Sequence, residues 1–302
     1  MSTPYHVAVI GLGAMGMGAA RSCLRAGLTT YGIDLSEQAR SQLQQAGAAA
    51  VMADARPLAE TLDAVLLLVV NATQVRRILL GEAGLARHLK PGTAIMVSST
   101  IAAEEASALA AELAQMGLPM LDAPVSGGAI KADAGEMTVM AAGADAAFDK
   151  LAPVLDAVAG KVYRVGSEPG QGSTVKIIHQ LLAGVHIAVA AEAMALASRA
   201  GVSLDLMYDV VTHAAGNSWM FENRMPRVLA GDYQARSAVD IFVKDLTLVA
   251  DTAKALRFPL PLASTALNMF LGASNAGHGQ EDDSAVIKIF SGIQLPGQEE
   301  QA

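Results

Sequence analysis

A single cysteine, Cys23, stands among the 302 residues, so the chain has no internal disulfide. Disulfides belong to oxidising compartments, and a reducing, cytoplasmic setting is expected. Cys23 falls inside the first helical pattern and reads as a small core residue. Basic residues are scarcer than acidic ones, 21 against 29, for a net charge of -8. That balance carries no electrostatic footprint for nucleic acid. The six histidines are scattered without the spacing of zinc ligands, so no metal is expected. The first residues lack the basic region of a secretory signal. The longest apolar run, Leu181 to Ala197, is interrupted by His186 and Glu192 and reads as a buried helix, with no membrane partner. Internal repeats and low-complexity segments are also missing.

What is present is a large apolar fraction, 52%, with 17% charged residues. This suits a globular chain with a sizeable core, long enough for two domains. His6 to Ile10 is a short buried strand that runs into Gly11-Leu12-Gly13-Ala14-Met15-Gly16. A helical pattern follows to Leu24 and stops at Gly27, and a second strand, Thr29 to Ile33, ends at Asp34. Strands are expected near Ala49 to Met52, Ala64 to Val70, Ala94 to Ser99, Met120 to Val125, Met137 to Ala142 and Val162 to Val165. Helices are expected at about Ser36 to Ala46, Thr73 to Leu80, Ala102 to Met116 and Ala146 to Ala159. That alternation is an α/β chain with a Rossmann-type doubly wound sheet.

After Gly166 the alternation stops. Gly170 to Ala200 reads as one unbroken helix, apolar on nearly every face and therefore expected to be buried on all sides. Helical patterns follow near Leu204 to Ala215, Asn223 to Ala230, Val239 to Leu256, Pro261 to Asn275 and Ser284 to Phe290. The second domain is expected to be all-helical, with residues 1–167 as the first domain and 168–302 as the second. The polar tail, Gln294 to Ala302, is expected to be loose.

Three motifs carry chemistry. The glycine turn lies between a strand and a helix, and Asp34 follows Gly16 by 18 residues. In the dinucleotide fingerprint Gly11 makes the tight turn, Gly13 lets backbone approach a pyrophosphate, and Gly16 lets helix and strand pack closely. Asp34 would bind ribose hydroxyls and repel a 2′-phosphate, and Leu35-Ser36 supplies no arginine, so NAD is expected in preference to NADP. Asp122-Ala123-Pro124-Val125-Ser126-Gly127-Gly128 leaves a strand at the carboxyl edge of the sheet, where a hydroxyl and successive amides suit an anion. Lys176, His179 and Gln180 share one face of the long helix, by their i, i+3, i+4 spacing. A lysine disfavoured by burial relays protons near neutral pH. Plainer readings exist for each: a packing turn with a solvated aspartate, an ordinary turn, a snorkelling lysine, a satisfied core histidine. His186 reads as structural.

Together the motifs resemble the β-hydroxyacid dehydrogenase family, typified by 3-hydroxyisobutyrate dehydrogenase. Val9 to Gly27 is similar to its N-terminal signature, Asp122 to Gly128 to its substrate loop, Gly170 to Gln180 to its catalytic helix, and Phe242 with Lys244-Asp245-Leu246 to its late lysine motif. The resemblance implies that Lys176 is the catalytic lysine and that Ser126, Gly127 and Gly128 hold the substrate carboxylate. It places Thr100 beside the nicotinamide, Asn71 against the cofactor, and Lys244 on cofactor or substrate. It implies a long helix joining the domains and a homodimer or homotetramer. Most members carry asparagine four residues after the lysine, where this chain has Gln180. His179 stands as in the Lys-x-x-His-Asn of 6-phosphogluconate dehydrogenase, which implies a polyhydroxylated acid touching His179 and Gln180. The run Lys176 to Ala188 resembles the branch acting on four-carbon sugar acids, with L-threonate the expected substrate. Alternatives are 3-hydroxyisobutyrate or another β-hydroxyacid, tartronate semialdehyde reduction, imine reduction, or a non-catalytic dinucleotide-binding module. Two lysines at one cleft would also lower the pKa of Lys176 by repulsion.

Overall fold

The computed structural model describes residues 4–296. The chain divides into two compact units, Met1–Lys176 and Ile177–Ala302. The first contains β1 (His6–Ile10), α1 (Ala14–Arg25), β2 (Thr29–Ile33), α2 (Glu37–Gln45), β3 (Ala50–Met52), β4 (Ala64–Leu67), α3 (Ala72–Leu80), β5 (Ala94–Val97), α4 (Ala103–Gln115), β6 (Met120–Asp122), β7 (Val125–Ser126), α5 (Gly128–Ala134), β8 (Met137–Ala142), α6 (Asp145–Val158) and β9 (Ala159–Gly166). The sheet runs β3-β2-β1-β4-β5-β6-β8-β7, with β9 beside β8. The strands from β3 through β6 pair in parallel. Antiparallel pairing enters where β8 meets β6 and β7.

The alternation of strand side chains explains the two layers. Val7, Val9, Ala64, Leu66, Ala94 and Met96 enter one apolar core, and Ala8, Ile10, Val65, Leu67, Ile95 and Val97 enter the other. A strand buried on both faces needs no polar alternation, and helices must cover both sides. Cys23 is buried in the first core, and burial pushes its thiol up to about 12.

Three expected strands end early or break, and β9 is longer than expected, Ala159–Gly166 in place of Val162 to Val165. β4 stops at Leu67, because Leu68 to Val70 turn out to line a cavity. β5 stops at Val97, where the Ser98 hydroxyl bonds the Ala123 carbonyl at 2.9 Å. The strand expected over Met120 to Val125 is split, because Pro124 brings no N–H to a ladder. Helix α5 was not expected; it is seven residues long and ends in the left-handed Gly135.

α7 (Gln171–Arg199) runs from the first unit into the second, which continues with α8 (Leu204–Thr212), α9 (Trp219–Leu229), α10 (Val239–Ala255), α11 (Pro261–Ala273) and a tight helical segment, Asp283–Ile289. Ile187, Ala191 and Met194 of α7 join Phe221, Met225, Phe242, Leu246 and Phe270 in its core. Buried ion pairs tie α9 to the last segment: Arg224 to Asp283 at 2.6 and 2.9 Å, and Arg227 to Asp282 at 2.5 Å.

Two expectations are corrected here. α7 is not buried on all sides: Val175, Ile178, Leu182, Val189 and Leu196 are exposed. Their spacing of three, four and seven places them in one stripe, while Ala183, Ile187, Ala190 and Met194 turn to the core. By length and composition alone α7 is apolar enough to cross a membrane, and half of its most apolar window is buried. The start of the tail is not loose: Leu295 is buried, and Gln294 exchanges hydrogen bonds with the Ser198 hydroxyl. The rest of that tail lies outside the described residues.

α1 packs on α5 backbone to backbone. A Cβ on Gly18 would fall 2.5 Å from the Asp133 nitrogen and 2.6 Å from the Ala132 carbonyl carbon. Gly18→Ala is therefore expected to destabilise the first unit by about 1–3 kcal/mol, the usual cost of overpacking. Urea denaturation followed by circular dichroism checks this, and an unchanged midpoint would contradict the packing.

Candidate active site

The glycine turn is built by contact distances. Gly11 has a φ of 90° and its N–H donates to the Ile33 carbonyl at 2.9 Å. A Cβ on Gly16 would fall 1.7 Å from the Gly11 carbonyl oxygen, so only glycine lets α1 start this close to β1. Gly13, the residue before α1, differs: a Cβ there would meet nothing within 4 Å. That open space faces the start of a 12-residue helix whose first N–H groups lack helical partners. Leu12, Ala14 and Met15 complete the turn.

Asp34 is half-buried at the end of β2. Its Oδ2 accepts from the Leu12 N–H at 2.7 Å and its Oδ1 from the Ser36 N–H at 2.8 Å. Each carboxylate oxygen retains a second lone pair. A cavity of about 570 Å³ opens here, lined among others by Gly11, Gly13, Asp34, Val70, Arg56 and Arg77. Its size suits a small-molecule site, and it lies at the carboxyl ends of β1, β2 and β4. Arg40 donates to the carbonyls of Asp34 and Leu35, at 2.7 and 2.9 Å. Asn71 caps α3, its side-chain oxygen accepting from the Gln74 N–H at 2.9 Å. Thr100 follows β5, next to a Ser99 hydroxyl that is buried with no hydrogen-bond partner. The cavity, the uncovered Gly13 and the orphaned hydroxyl fit a bound dinucleotide.

The second group of site residues lies in the same unit. Ser126 pairs with Thr138 in the sheet, and Gly127 and Gly128 take φ values of 133° and 71°. Side chains rarely adopt such φ values, so the glycines are required by the backbone. Lys176 is in the second turn of α7 and is 6% exposed. Behind the loop, Asp122 is fully buried. Its Oδ2 accepts from the N–H groups of Gly170 (2.7 Å) and Ser173 (2.8 Å), and its Oδ1 from the Ser173 hydroxyl (2.7 Å). Burial pushes its carboxyl above the usual range, against the pull of the donors on Ser173, Gly170 and Gly172.

The helical unit brings together a third group. Gln180 donates from Nε2 to Asp245 Oδ2, and Lys244 Nζ forms an ion pair with Asp245 Oδ1 at 2.5 Å. His179 Nδ1 lies 3.0 Å from Gln180 Oε1. A carboxylate accepts only, so the Gln180 amide must present its NH₂ to Asp245 and its oxygen to the histidine. His179 then carries a proton on Nδ1.

Sequence reasoning placed Asp122 and Asp245 inside motifs and gave neither a role. Their partners Gly170, Ser173 and Gln180 lie 48 to 65 residues away along the chain, which no local pattern announces.

A family model described as the NAD binding domain of 6-phosphogluconate dehydrogenase matches residues 6–166. A second, described as the NAD-binding region of NADP-dependent 3-hydroxyisobutyrate dehydrogenase, matches residues 170–290. The L-threonate dehydrogenase of Escherichia coli O6:H1 is 73% identical, over 97% of either chain. That of Pectobacterium atrosepticum is 69% identical, over 99% of this chain and 98% of its own. The crystal structure of a 3-hydroxyisobutyrate dehydrogenase from Salmonella typhimurium superposes with a TM-score of 0.92 at 70% identity, covering 95% of this chain and all of that one.

Gly13 supplies a test that separates stability from binding. Gly13 has an ordinary negative φ and open space at its Cβ position. Gly13→Val is expected to keep the thermal midpoint while weakening dinucleotide binding at least about tenfold, by blocking the approach to the helix N-terminus. Cofactor titration by fluorescence measures the second quantity and differential scanning calorimetry the first.

Proposed function

We propose that this chain, which belongs to the β-hydroxyacid dehydrogenase family of 3-hydroxyisobutyrate dehydrogenase type, oxidises L-threonate to its 2-oxo acid with NAD. Membership makes it a dinucleotide-dependent hydroxyacid dehydrogenase; the choice of acid and of NAD over NADP is the proposal. L-threonate is the acid named for the Escherichia coli relative at 73% identity. What supports it in this chain is the face of α7 that follows Lys176, where the polar ring of His179 is held in place through Gln180 and Asp245. A polyhydroxylated acid needs such oriented polar groups, whereas 3-hydroxyisobutyrate, named for the Salmonella relative, has a methyl group in place of a further hydroxyl.

NAD is supported by Asp34, a carboxylate on the cavity wall that would repel a 2′-phosphate. Arg40, the nearest following cation in the sequence, is engaged with two backbone carbonyls. When bound, the dinucleotide supplies the hydride acceptor, and that chemistry is its own. The chain's part is to bind, orient and move one proton. Ser126, Gly127 and Gly128 hold the substrate carboxylate with a hydroxyl and amides, and Lys176 takes the proton of the reacting hydroxyl. Thr100 and Asn71 serve the cofactor, and Lys244 the cofactor or substrate.

A homodimer or homotetramer is part of the proposal, supported by the exposed apolar stripe on α7. So is a cytoplasmic location, in keeping with one buried, unpaired cysteine.

A panel of C3 to C6 hydroxy and sugar acids, each offered with NAD and with NADP, tests the reading by cofactor reduction. The highest kcat/KM is expected for L-threonate with NAD. A higher value for 3-hydroxyisobutyrate would overturn the substrate, and turnover of cyclic imines alone would overturn the reaction class. Lys176→Ala is expected to lower kcat by about 10²–10⁴-fold while dinucleotide affinity stays unchanged.

A further inference from the structure

Helix α7 begins at Gln171, directly after the left-handed Gly170. Its first N–H groups have no helical acceptors, and the side chain that receives them comes from another strand. Asp122, the last residue of β6, accepts from the N–H groups of Gly170 and Ser173, which are 48 and 51 residues further on. The Gly172 N–H and the Ser173 hydroxyl also donate to it. The fit is tight. A Cβ on Gly172 would fall 2.4 Å from the Asp122 carbonyl oxygen and 2.6 Å from that of Met140. A second clamp holds the residues just before, where the Ser107 hydroxyl donates to the Pro169 carbonyl at 2.7 Å.

The other end of Asp122 leads directly into the anion loop. Ala123 is tied to β5 on both sides: its N–H donates to the Val97 carbonyl at 2.9 Å, and its carbonyl accepts from the Ser98 hydroxyl at 2.9 Å. The Pro124 carbonyl accepts from Met140 at 2.9 Å, and Val125 and Ser126 pair with β8. From Asp122 to Ser126 the backbone is therefore fixed. One helical turn separates Ser173 from Lys176. A single carboxylate thus joins the strand carrying the substrate loop to the turn that precedes the lysine.

We propose that Asp122 is a positioning residue: its carboxylate holds the first turn of α7 on β6 and so sets Lys176 against Ser126-Gly127-Gly128. The proposal rests on the reading of Lys176 as the proton relay. A helix start released from β6 moves the lysine, and misplacement by about 1 Å in an active site costs on the order of 10²-fold in rate.

The experiment compares Asp122→Ala, Asp122→Asn, Ser173→Ala, Lys176→Ala and the double variant Asp122→Ala/Lys176→Ala in the full chain. It reads kcat and KM for the oxidised acid, dinucleotide affinity, and thermal midpoint. Asparagine keeps an acceptor for the Gly170 and Ser173 N–H groups and turns its NH₂ to the Ser173 hydroxyl, which accepts it. Asp122→Ala is expected to lower kcat by about 10²-fold with dinucleotide affinity within about twofold, and Asp122→Asn to recover most of that loss. Where Asp122→Ala does not fold, Asp122→Asn and Ser173→Ala carry the test, Ser173→Ala lowering kcat several-fold. In the double variant the two losses are expected not to multiply, since Asp122 acts through Lys176. Fully multiplying losses, or a kcat per folded molecule that is unchanged in Asp122→Ala and Ser173→Ala, overturns the proposal. Near-normal turnover in Lys176→Ala overturns the reading of the lysine instead, and that outcome is recognised in the single variant.

Discussion

The buried carboxylate of Asp122 is the constraint on which the rest of the first unit's site geometry depends. Taking a carboxylate out of water is costly unless it is met by donors, and here backbone N–H groups and one hydroxyl meet it. The arrangement serves both partners. The helix start gains a negative group where its dipole is positive, and the carboxylate gains donors that need no counter-ion. The packing leaves little freedom in how this is done, since Gly172 is pressed against two carbonyl oxygens. The junction is correspondingly specific: any larger residue at position 172 separates β6 from α7.

A second strand-end carboxylate does related work in a wetter place. Asp34 accepts from Leu12 in the glycine turn and from Ser36 at the start of α2. It differs from Asp122 in exposure, and that difference sets the role. A carboxylate buried on all sides spends its lone pairs on the protein and holds geometry. One that borders a cavity keeps lone pairs for a ligand. Both lie at the carboxyl edge of the sheet, where this architecture gathers its functional groups because loops there leave from consecutive parallel strands.

The sheet was legible because each central strand is apolar on both faces, as Val7 to Ile10 and Ala64 to Leu67 show. The glycine turn was legible because its residues act locally: Gly11 bonds the end of β2, and Gly16 touches Gly11. Legibility stopped where partners are distant in the chain. Nothing near Asp122 names Gly170 or Ser173 as its donors. Nothing near Gln180 names Asp245. The outward stripe of α7 was hidden for another reason: the helix is apolar on both of its faces, so composition does not tell which face turns to the core. α5 escaped notice because seven residues with a glycine in front offer too little periodicity to read.

The glutamine at position 180 is where this chain departs from the asparagine of most of its family, and the geometry gives the departure a physical meaning. A side chain longer by one methylene reaches Asp245 with its NH₂ while its oxygen still meets His179. Gln180 therefore works as a connector between two elements, α7 and α10, and it spends one hydrogen bond at either end. Its amide oxygen fixes the ring of His179 through Nδ1. Asp245 closes the chain by also pairing with Lys244, so the lysine and, through Gln180, the histidine are oriented by the same carboxylate. A change at Gln180 is thus not a local edit: it alters the setting of His179 and of Asp245, the partner of Lys244, together.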